Sequence, residues 1–421
     1  MAEDTLLSDD LLRQLMSVGE VDLLVAIPSH NNAATIGRTV EVVEEAFQAN
    51  YPRERVVIVN VDGGSKDDTP DIFATAAVQR NGGSRGLTSL RTEHRVSANY
   101  ASVPSQGLAY RSILASVDLL RAKACAVISP MTAQATPEWV RNLLQPVYKQ
   151  KCDFLAPLYT REKFDGLLAR NVLYPMTHAI FGRGIRELQS SELAFSGALA
   201  TLCLNQDVWN EEAVVASPEI WMAVSAIASD VPCCQSYLGP KVPPASRGAT
   251  DIVGVIRQTL GTLFWCLESF ESVWLGRKEA ATVPTIGPDH ELSPQTTRVN
   301  RKRLYDLFRS GAGELEPILG TILAADTHAD VQQLATVDEK KFRFGNELWA
   351  KTLYDFTASY HHAVLNRDHM IQAFVPLYRG RICSFLLQHQ DSSQDEIEAD
   401  SQDLCGKLDQ LKPYLVERWK K

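Results

Sequence analysis

Short apolar runs alternate with helical repeats of apolar residues along the first 160 residues of the chain. Two of these runs, Asp22–Pro28 and Arg55–Asp62, end in turn residues, which is typical of buried parallel strands. The segment after the first run places its apolar residues on one helical face: Ile36, Val40, Val43 and Phe47. The alternation predicts an open, Rossmann-like, mostly parallel and doubly wound α/β sheet.

The same pattern predicts further elements up to residue 160. Proline residues in Thr69-Pro70-Asp71 and Thr136-Pro137-Glu138 indicate helix starts, because proline lacks an N–H that the first turn leaves unpaired in any case. A further helix is predicted at 107–120. Three more strands are predicted, at Thr88–Thr92, Ala124–Ser129 and Asp153–Tyr159.

From residue 298 onward the pattern becomes helical. Apolar residues recur at helical spacing through Leu353–Val364 and His369–Leu387. The segment 283–300 is rich in proline and threonine and is predicted to be a linker. The sequence therefore predicts an N-terminal extension over 1–20, an α/β domain over 21–282, that linker, and a C-terminal helical domain over 301–421.

Composition narrows the function classes. The formal charge of −9 argues against a nucleic-acid-binding protein, which would need a basic surface. No segment has about 18 uninterrupted apolar residues, so no membrane span is expected, and the acidic N-terminus does not resemble a signal peptide. The eight cysteines form no CxxC pair, and we expect buried, reduced thiols in a cytoplasmic protein.

Polar residues follow three of the predicted strands. In a doubly wound sheet, ligands bind at the carboxyl ends of the strands, so the segments to consider are Ser29–Asn32, Asp62–Thr69 and Ser129–Thr132. Asp62 ends its strand and is followed by Gly63 and Gly64. A carboxylate there can accept hydrogen bonds from a ribose or from the imide N–H of uracil, while the glycines permit close backbone approach. The alternative is an ordinary Asp-Gly turn with a helix cap at Asp68.

Two motifs together resemble a known family. The segments Ile27–Ile36 (IPSHNNAATI) and Asn60–Thr69 (NVDGGSKDDT) are similar to the nucleotide-binding half of family-2-like GT-A glycosyltransferases. The form of the family that the chain most resembles is the bacterial group that includes glucosyl-3-phosphoglycerate synthase and mannosylglycerate synthase. Further matching pieces extend along the chain: Thr136–Trp139, Tyr159–Arg161, Phe195–Gly197, Glu219–Met222, Leu238–Lys241, Tyr354–Phe356 and Pro376–Arg381.

The resemblance implies a nucleotide diphosphate sugar, a UDP- or GDP-hexose, and a small hydroxylated acceptor such as glycerate. It places the donor against residues of the first strand ends and of a later loop: Pro28, Ser29, Asn31, Asp62, Gly63, Gly64, Gln106, Lys241 and Arg247. Gln106 replaces a lysine that is common in the family. The family's Gly-Gly-acid turn at the acceptor site becomes Ser190-Ser191-Glu192, which keeps only the acid.

The resemblance also implies a divalent cation, held by an Asp-x-Asp pair and a later histidine. The corresponding positions here are Ser129, Met131 and Pro243. These residues offer a hard cation no anionic or imidazole ligand, so we expect no cofactor and no tightly bound metal. The loss matters because a divalent cation stabilises the charge that develops on the departing diphosphate.

Cationic side chains are the alternative means of stabilising that charge. The candidates are Arg161, Lys163, Lys241 and Arg247; the last two flank Pro243 in one short loop. Arg161 and Lys241 match positions of the family pattern, whereas Lys163 is better explained as a solvated surface charge. Glu192, Arg161 and Glu219 are the predicted catalytic residues, with the two acids binding the acceptor or acting as base. For Glu219, which opens a helix after Pro218, a cap or a structural ion pair is the rival interpretation.

Two main hypotheses follow. The first is a cytoplasmic glycosyltransferase that moves a hexose to a small polar acceptor without tightly bound metal. The second is a catalytically silent GT-A protein that binds nucleotide sugar, or that pairs with an active relative through its C-terminal helices; a homodimer is also considered. A nucleotidyltransferase is a weaker alternative, because Ser29–Asn32 lacks the glycine-rich, cationic loop that such enzymes carry.

Overall fold

The structure of the protein is a computed structural model that describes residues 7–76, 93–99, 106–132, 134–241, 251–277, 280–288, 292–293 and 299–421. The strands, in chain order, are β1 Leu23–Ser29, β2 Val56–Asp62, β3 Glu93–Asn99, β4 Ala124–Val127, β5 Phe154–Glu162, β6 Leu193–Ser196, β7 Cys233–Pro240, β8 Thr285–Ile286 and β9 Leu292–Ser293.

The helices of the first half are α1 Asp9–Val18, α2 Ile36–Asn50, α3 Thr69–Thr75, α4 Gln106–Leu119, α5 Pro137–Tyr148, α6 Tyr174–Phe181, α7 Gly197–Leu204, α8 Glu212–Ala216 and α9 Pro218–Ala228. Those of the second half are α10 Ile252–Ser269, α11 Glu271–Gly276, α12 Arg301–Glu314, α13 Glu316–Ile322, α14 Ala325–Thr336, α15 Asn346–His361, α16 Arg367–Gln388 and α17 Gln394–Trp419. A π-helical turn, Ala169–Leu173, precedes α6, and a 3₁₀ turn, Glu339–Lys341, precedes α15.

The chain forms two compact units, each assembled from three stretches of sequence. The first unit comprises Met1–Tyr159, Gln189–Gly248 and Val283–His290, and the second comprises Thr160–Leu188, Ala249–Thr282 and Glu291–Lys421. The predicted domains were contiguous, whereas the observed units are interleaved in sequence. Within the second unit, Trp349 Nε1 donates a hydrogen bond to the Asn171 carbonyl at 2.8 Å, which attaches the stretch 160–188 to the C-terminal helices.

The first unit is a sheet with helices around it. The strand order is β3-β2-β1-β4-β6-β5-β7-β8. Strands β1, β2, β3 and β4 run parallel to one another, and β6 runs antiparallel to both β4 and β5. The predicted doubly wound α/β fold with a C-terminal helical region is thus confirmed. Of the predicted strands, Thr88–Thr92 lies outside the described residues, and the edge strand β3 begins just after it.

Apolar burial explains the elements. All residues of β2 are buried, and the four residues predicted on one face of α2 are each fully buried. At the start of α5, Thr136 Oγ1 accepts a hydrogen bond from the Trp139 N–H, and Pro137 occupies the first turn, as predicted. The apolar stripe of α5 packs into the same core. Burial of each such side chain contributes about 2 kcal/mol, which outweighs the modest helix propensity of the β-branched residues.

The topology identifies one edge of the sheet as the place for a ligand. From β1 the chain moves to β2 and β3 on one side, and it later returns to β4 on the other side of β1. The ends of β1 and β4 therefore form a topological switch point. We call the edge at which β1, β2 and β4 end the carboxyl edge; Ser29, Asp62 and Val127 are the last residues of those strands. The opposite edge is the amino edge.

The second unit is helical, with β9 pairing in parallel with the end of β5 through Arg161 and Leu292. Its core includes a buried arginine: Arg381 Nε donates to Asn171 Oδ1 at 2.9 Å, and Arg381 Nη1 donates to the Phe344 carbonyl at 2.8 Å. The predicted helices over Leu353–Val364 and His369–Leu387 correspond to α15 and α16 and are confirmed. In the part of the chain that the structure describes, no helix has the length and apolarity of a membrane span.

The eight cysteines are all free, in agreement with the predicted reduced thiols. Seven of them are buried, but Cys233 is half-buried, so the prediction of burial fails at that one position. Cys233 is the first residue of β7, where the strand emerges from a turn. Within the segment predicted as a linker, Thr285 of β8 pairs with Gln235 of β7.

Candidate functional site

Asp62 is a fully buried carboxylate at the carboxyl edge, and its oxygens accept hydrogen bonds from its own loop and from β1. Oδ1 accepts from Ser29 Oγ at 2.9 Å and from Ser65 Oγ at 2.5 Å. Oδ2 accepts from the backbone N–H groups of Gly64 at 3.0 Å and Ser65 at 2.7 Å. The left-handed conformation of Gly64, with φ of 77°, brings these donors around the carboxylate. In this arrangement Asp62 organises the loop.

The loops after β1 and β2 are joined by reciprocal hydrogen bonds. Asn31, which has a positive φ of 53°, accepts at Oδ1 from the Lys66 N–H at 2.9 Å and donates its own N–H to Ser65 Oγ at 2.8 Å. The Asn32 N–H donates to Thr69 Oγ1 at 2.7 Å, and the Ala33 N–H donates to Asp67 Oδ2 at 3.1 Å. The two motifs therefore form one surface.

Pro28 and Gly63, two further residues predicted for the donor side, also lie at the carboxyl edge. Pro28 pairs with Val61, one position before the paired ends Ser29 and Asp62. The Gly63 N–H donates to the Ser29 carbonyl at 2.7 Å, while the Gly63 carbonyl lies 3.1 Å from Nδ1 of His30. Gln106 is exposed and is the first residue of α4, the helix that follows β3.

A second polar cluster surrounds Glu192, the residue that precedes β6. Because β6 is antiparallel to β4, with Leu193 opposite Val127, Glu192 also lies at the carboxyl edge. Its Oε1 accepts a hydrogen bond from Thr132 Oγ1, and its Oε2 accepts from the Tyr159 hydroxyl at 2.6 Å. Lys241 Nζ lies 2.9 Å from the same Oε2. Glu192 has no exposed surface.

The partners of Glu192 determine its charge. Burial alone opposes ionisation, but the ammonium charge of Lys241 and the hydrogen bonds from Thr132 and Tyr159 outweigh it, so the pKa of Glu192 falls below its usual value of 4.5. The carboxylate is therefore ionised at neutral pH. Unlike Glu192, Lys241 keeps 20% of its side chain exposed, which gives the pair one accessible member.

Tyr159, at the carboxyl edge of β5, holds both members of this pair. Its hydroxyl donates to Glu192, and Lys241 Nζ lies 4.4 Å from the centroid of its ring. A cation over an aromatic face is attracted by the ring quadrupole, which keeps Lys241 beside the carboxylate. Trp139 also packs against this ring, with the ring centroids 5.5 Å apart.

The Asp62 and Glu192 clusters lie at the same edge of one sheet. Asp62 ends β2, Glu192 precedes β6, and strands β1 and β4 lie between these two strands. Neighbouring strands are spaced by about 4.8 Å, so the two strand ends are roughly 14 Å apart. That distance is comparable to the extent of a nucleotide diphosphate sugar. One molecule can thus contact both clusters.

Glu219 is a second buried acid, in the first turn of α9. Its Oε2 is buried without a hydrogen-bond partner in the described part of the chain, and burial raises the pKa of Glu219 to about 7. Burial also raises the pKa of Tyr110, and the charges of Glu219 and Glu192 raise it further. Among the described residues no cationic side chain forms a hydrogen bond with this oxygen, which argues against the rival interpretation of Glu219 as half of an ion pair.

The positions at which a family metal site would lie do not supply a suitable set of ligands. Ser129 Oγ accepts the Met131 N–H at 3.2 Å, and Met131 is 64% exposed. A hydroxyl and a thioether are poor ligands for Mg²⁺ or Mn²⁺, which prefer carboxylate oxygens. Within the described ranges no group of three or more acidic, histidine or cysteine side chains is placed to hold an ion. Pro243 lies outside the described residues.

The other predicted cations differ in their surroundings. Arg161 belongs to the second unit, where it forms a two-pronged pair with Glu187, at 2.5 and 2.6 Å, and a further bond to Asp165 at 2.9 Å. Lys163 Nζ donates to the carbonyls of Gln390 and Ser392 at 3.1 and 2.5 Å. Arg247 lies outside the described residues. Lys241 is thus the predicted cation that the structure brings beside Glu192.

Sequence reasoning missed three residues of these clusters. Ser65 donates twice to Asp62, and Thr132 and Tyr159 both donate to Glu192. Each lies inside a segment that the sequence analysis names: Ser65 in Asp62–Thr69, Thr132 in Ser129–Thr132 and Tyr159 in Tyr159–Arg161. The hydroxyl group of each residue was the one feature in the sequence that could have suggested a hydrogen bond to a nearby carboxylate. The Asp68 carboxylate, in contrast, occupies the cap position of α3 without forming a side-chain cap bond.

A cavity of about 570 Å³ lies at the amino edge of the first unit. It is lined by residues that precede β4 and β5 or follow β6, including Lys123, Asp153 and Gly197. Neither Asp62 nor Glu192 lines this cavity. The chemistry of the carboxyl edge and this volume are therefore separate features of the first unit.

Comparison with known proteins gave one kind of match. No family model matches the chain, and no curated protein matches it. The chain is similar to the crystal structure of glucosyl-3-phosphoglycerate synthase from Mycobacterium tuberculosis in complex with Mn²⁺, UDP and phosphoglyceric acid. The identity is 15%, the TM-score is 0.43, and the match covers 62% of this chain and 82% of that chain.

A second crystal structure of that enzyme, in complex with Mg²⁺ and UDP, matches at 14% identity and a TM-score of 0.43, over 62% of this chain and 83% of the other. A third, with Mn²⁺, UDP-glucose and phosphoglyceric acid, matches at 16% identity and a TM-score of 0.43, over 61% and 83%. These structures come from the glycosyltransferase group that the sequence resembles.

Proposed function

We propose that the first unit binds a nucleotide diphosphate sugar at its carboxyl edge and transfers the hexose to a small hydroxylated acceptor. The observation that carries the proposal is the Glu192–Lys241 pair, an ionised and fully buried carboxylate beside a partly exposed ammonium group. It lies at the carboxyl edge near the switch point of a doubly wound sheet, where ligands bind in such folds. The two motifs that resemble GT-A glycosyltransferases converge at the same edge.

The transfer requires two changes of charge. The bond between the anomeric carbon and the diphosphate oxygen breaks, and the nucleoside diphosphate leaves with the electron pair. The acceptor oxygen forms a new bond to that carbon and releases its proton. Lys241 supplies the positive charge for the diphosphate, and Glu192 accepts a hydrogen bond or the proton from the acceptor hydroxyl.

Binding of the nucleotide sugar to Lys241 would also make Glu192 a stronger base. In the free protein the charge of Lys241 lowers the pKa of Glu192, which makes Glu192 a weak base. A diphosphate that binds Lys241 competes with Glu192 for the ammonium group. The pKa of Glu192 then rises, and its ability to accept a proton increases only after the donor has bound. Tyr159 keeps the carboxylate in position during this exchange.

Glu219 is the other proton acceptor in the proposal. Its pKa of about 7 suits a group that gains and loses protons at neutral pH. We assign Glu219 to the acceptor side. No step of the proposed transfer runs through a divalent cation, because Ser129 and Met131 do not fit one; independence of metal stays a prediction.

The catalytically silent alternative is favoured by one specific observation. Asp62, which the resemblance assigns to the nucleoside, already accepts four hydrogen bonds from the protein. A carboxylate that is saturated in this way binds a ribose or a base only if the loop gives up some of those bonds. In this alternative the chain binds nucleotide sugar without turnover, or it pairs with an active relative.

One experiment tests the proposal against the alternative. The purified protein is incubated with UDP-glucose or GDP-mannose and glycerate, with either EDTA or Mg²⁺, and the release of nucleoside diphosphate and the shift in Tm are followed. Release of nucleoside diphosphate in the presence of EDTA supports transfer without metal. Release that requires Mg²⁺ contradicts the prediction that transfer is independent of metal. A Tm shift without release supports the silent binder. Absence of both a shift and release with either donor would overturn the transfer and the form of the alternative in which the chain binds nucleotide sugar.

The variant Lys241→Met tests the cation, and Lys149→Met is its matched control. Lys149 is exposed and follows α5, the helix whose last residue, Tyr148, lines the cavity at the amino edge. We expect Lys241→Met to abolish the donor-dependent Tm shift and Lys149→Met to retain it. If the two variants bind the nucleotide sugar equally well, Lys241 does not contact it.

A further inference from the structure

The side chain of His30 bridges the two loops that follow β1 and β2. Its ring Nδ1 lies 3.1 Å from the Gly63 carbonyl, and its Nε2 lies 3.0 Å from Nδ2 of Asn31. On the other side of the same amide, Asn31 Oδ1 accepts the N–H of Lys66 at 2.9 Å. A series of three contacts therefore runs from the Gly63 carbonyl through two side chains to the Lys66 N–H.

Backbone groups at the two ends fix the role of each atom in this series. The Lys66 N–H can only donate, so the atom of Asn31 that faces it is the amide oxygen, and the amide nitrogen faces His30. That nitrogen also only donates, so Nε2 of His30 carries a lone pair. The Gly63 carbonyl can only accept, so Nδ1 carries the proton. In this arrangement His30 is neutral and has the Nδ1–H tautomer.

Protonation of His30 is incompatible with this arrangement. A proton on Nε2 faces the N–H groups of the Asn31 amide, so two hydrogen-bond donors meet. Rotation of the amide by half a turn presents its oxygen to Nε2, but its N–H groups then face the Lys66 N–H. No orientation of the amide satisfies both neighbours, so protonation removes one of the contacts between the loops.

We propose that neutral His30 is a positioning residue that holds the loops after β1 and β2 in the geometry that binds the nucleotide sugar. Protonation of its Nε2 releases that geometry and weakens binding. The ligand in this inference rests on the proposed function. The tautomer of His30 and its contacts with the two loops stand on the geometry alone.

The contact matters because the backbone of Asn31 is left-handed. Its φ of 53° costs energy in a residue that has a Cβ, and hydrogen bonds from both its backbone and its side chain to the loop after β2 hold it there. The Asn31 N–H donates to Ser65 Oγ, which in turn donates to Asp62. Loss of the side-chain contact therefore loosens the loop that carries Asp62, the carboxylate that the resemblance assigns to the nucleoside.

The surroundings of His30 allow it to titrate. His30 is exposed, so water reaches its ring. The charged residues that the structure describes on the two loops are Asp62, Lys66, Asp67 and Asp68. Asp67 stays ionised in mild acid, because the hydrogen bond from the Thr69 hydroxyl lowers its pKa. Among side chains of these types, imidazole is the one that ordinarily changes charge between pH 5 and pH 8.

NMR of the ¹⁵N-labelled protein at pH 8 tests the tautomer and needs no ligand. Long-range correlations from the ring protons report which nitrogen carries the proton, and the signals of His30 are assigned by their absence in His30→Gln. We expect a protonated Nδ1 and an unprotonated Nε2. An unbound histidine prefers the opposite tautomer in water, so the result is diagnostic. A proton on Nε2 at pH 8 would overturn the proposal.

Binding of UDP-glucose tests the positioning role. Its Kd is measured by calorimetry at pH 8 and pH 5.5 for wild type and for His30→Gln. Glutamine offers an N–H to the Gly63 carbonyl and an oxygen to the Asn31 amide, but it takes up no proton in this range. On acidification we expect the Kd of wild type to rise about tenfold more than that of His30→Gln, which corresponds to one lost hydrogen bond.

Two comparisons make the outcome specific to His30. Glu219 also gains a proton in this pH range, but it is present in both proteins and cancels in the difference between them. His369→Gln is the matched control, because His369 is another exposed histidine, in α16, and this variant should follow wild type at both pH values. Circular dichroism reports that each variant is folded.

The possible failures are distinguishable. Equal rises in Kd for wild type and His30→Gln would overturn the positioning role while leaving nucleotide-sugar binding intact. If wild type binds neither UDP-glucose nor GDP-mannose at pH 8, the proposed function is wrong, and so is the part of this inference that concerns the ligand. The NMR measurement still decides whether His30 joins the two loops in the Nδ1–H form.

Discussion

Lys241 Nζ lies 2.9 Å from Glu192 Oε2, and the two side chains differ in exposure: that of Glu192 is fully buried, whereas that of Lys241 is 20% exposed. Loss of either partner therefore has unequal consequences. Without Lys241, a buried carboxylate has lost its counter-charge. Without the Glu192 charge, Lys241 can turn towards solvent.

We expect Lys241→Met to lower the free energy of unfolding by about 3 kcal/mol at pH 7, and Glu192→Gln by about 1 kcal/mol. Urea unfolding monitored by fluorescence measures both. The difference between Lys241→Met and wild type should shrink as pH falls below 4.5. Glu192 has a lowered pKa in the folded state, so its stabilisation is present above the unfolded value of 4.5 and is lost as pH falls through the folded value.

A difference that stayed constant down to pH 3 would contradict an ionised Glu192. Tyr159→Phe gives an intermediate case, because it removes the hydroxyl at 2.6 Å but keeps the ring beneath Lys241. We expect a cost of about 1.5 kcal/mol for that change.

Glu219 should give stability the opposite dependence on pH. Its pKa is raised by burial from 4.5 to about 7 in the folded protein, so its stabilising effect is complete below pH 4.5 and is lost as pH rises through 7. The loss amounts to about 3 kcal/mol over that range. Glutamine does not titrate, so the Glu219→Gln variant lacks this pH-dependent contribution to the free energy of unfolding.

The measurement is urea unfolding of wild type and Glu219→Gln at pH 5 and pH 8. We expect the variant to be more stable than wild type at pH 8 and to lose the advantage at pH 5. If Glu219 accepts a proton in the reaction, the same variant is also inactive. Parallel stability curves for the two proteins would show that Glu219 is ionised in both states.

Asp62→Asn tests how far the loop depends on the carboxylate. Asparagine has one acceptor oxygen in place of two, so it cannot satisfy the four donors of Ser29, Gly64 and Ser65. We expect the free energy of unfolding to fall by about 2 kcal/mol and the donor-dependent Tm shift to disappear. Asp68→Asn, at an exposed position whose side chain forms no cap bond, is the control and should match wild type.

Variants of Arg161 distinguish a catalytic role of this residue from a structural one. Its guanidinium is bound by both oxygens of Glu187 and by Asp165, all within the second unit. We expect Arg161→Met to cost about 3 kcal/mol, because two acids lose their cation, and Arg161→Lys to cost less, because lysine keeps the charge without the planar fork. Titration with UDP-glucose should give the folded variants the wild-type Kd. A Kd raised tenfold or more in Arg161→Lys would support the predicted role of Arg161 at the site.

The sequence was sufficient for the fold because burial imposes periodic patterns. The stripe of α2 and the proline at the start of α5 have local causes, and both were predicted from neighbouring residues. The edge strand β3 was not, since Glu93–Asn99 contains few apolar residues and an edge strand has less surface to bury. The chain also gave no local indication that the stretches 160–188 and 249–282 belong with the C-terminal helices.

For the candidate site, the sequence predicted which residues take part better than it predicted their hydrogen-bond partners. Asp62 and Ser29 were both singled out, and the strand register explains why they meet. The contacts of Glu192 could not be predicted, because Thr132, Tyr159 and Lys241 lie 60, 33 and 49 residues away in the chain. Such contacts follow from strand order rather than from any motif. Donor binding, the acceptor and the roles assigned to these residues stay predictions.

Interleaving of the two units has a practical consequence for dissecting the protein. A gene fragment that stops at residue 300 would encode all stretches of the first unit, but it would also encode 160–188 and 249–282 without the helices that share their core. Side chains such as Val172, Leu173 and Ile180, which are shielded from water in the complete chain, would then be released into solvent. Such a fragment should precipitate, so the helical half cannot be removed by simple truncation to ask what the other half does alone.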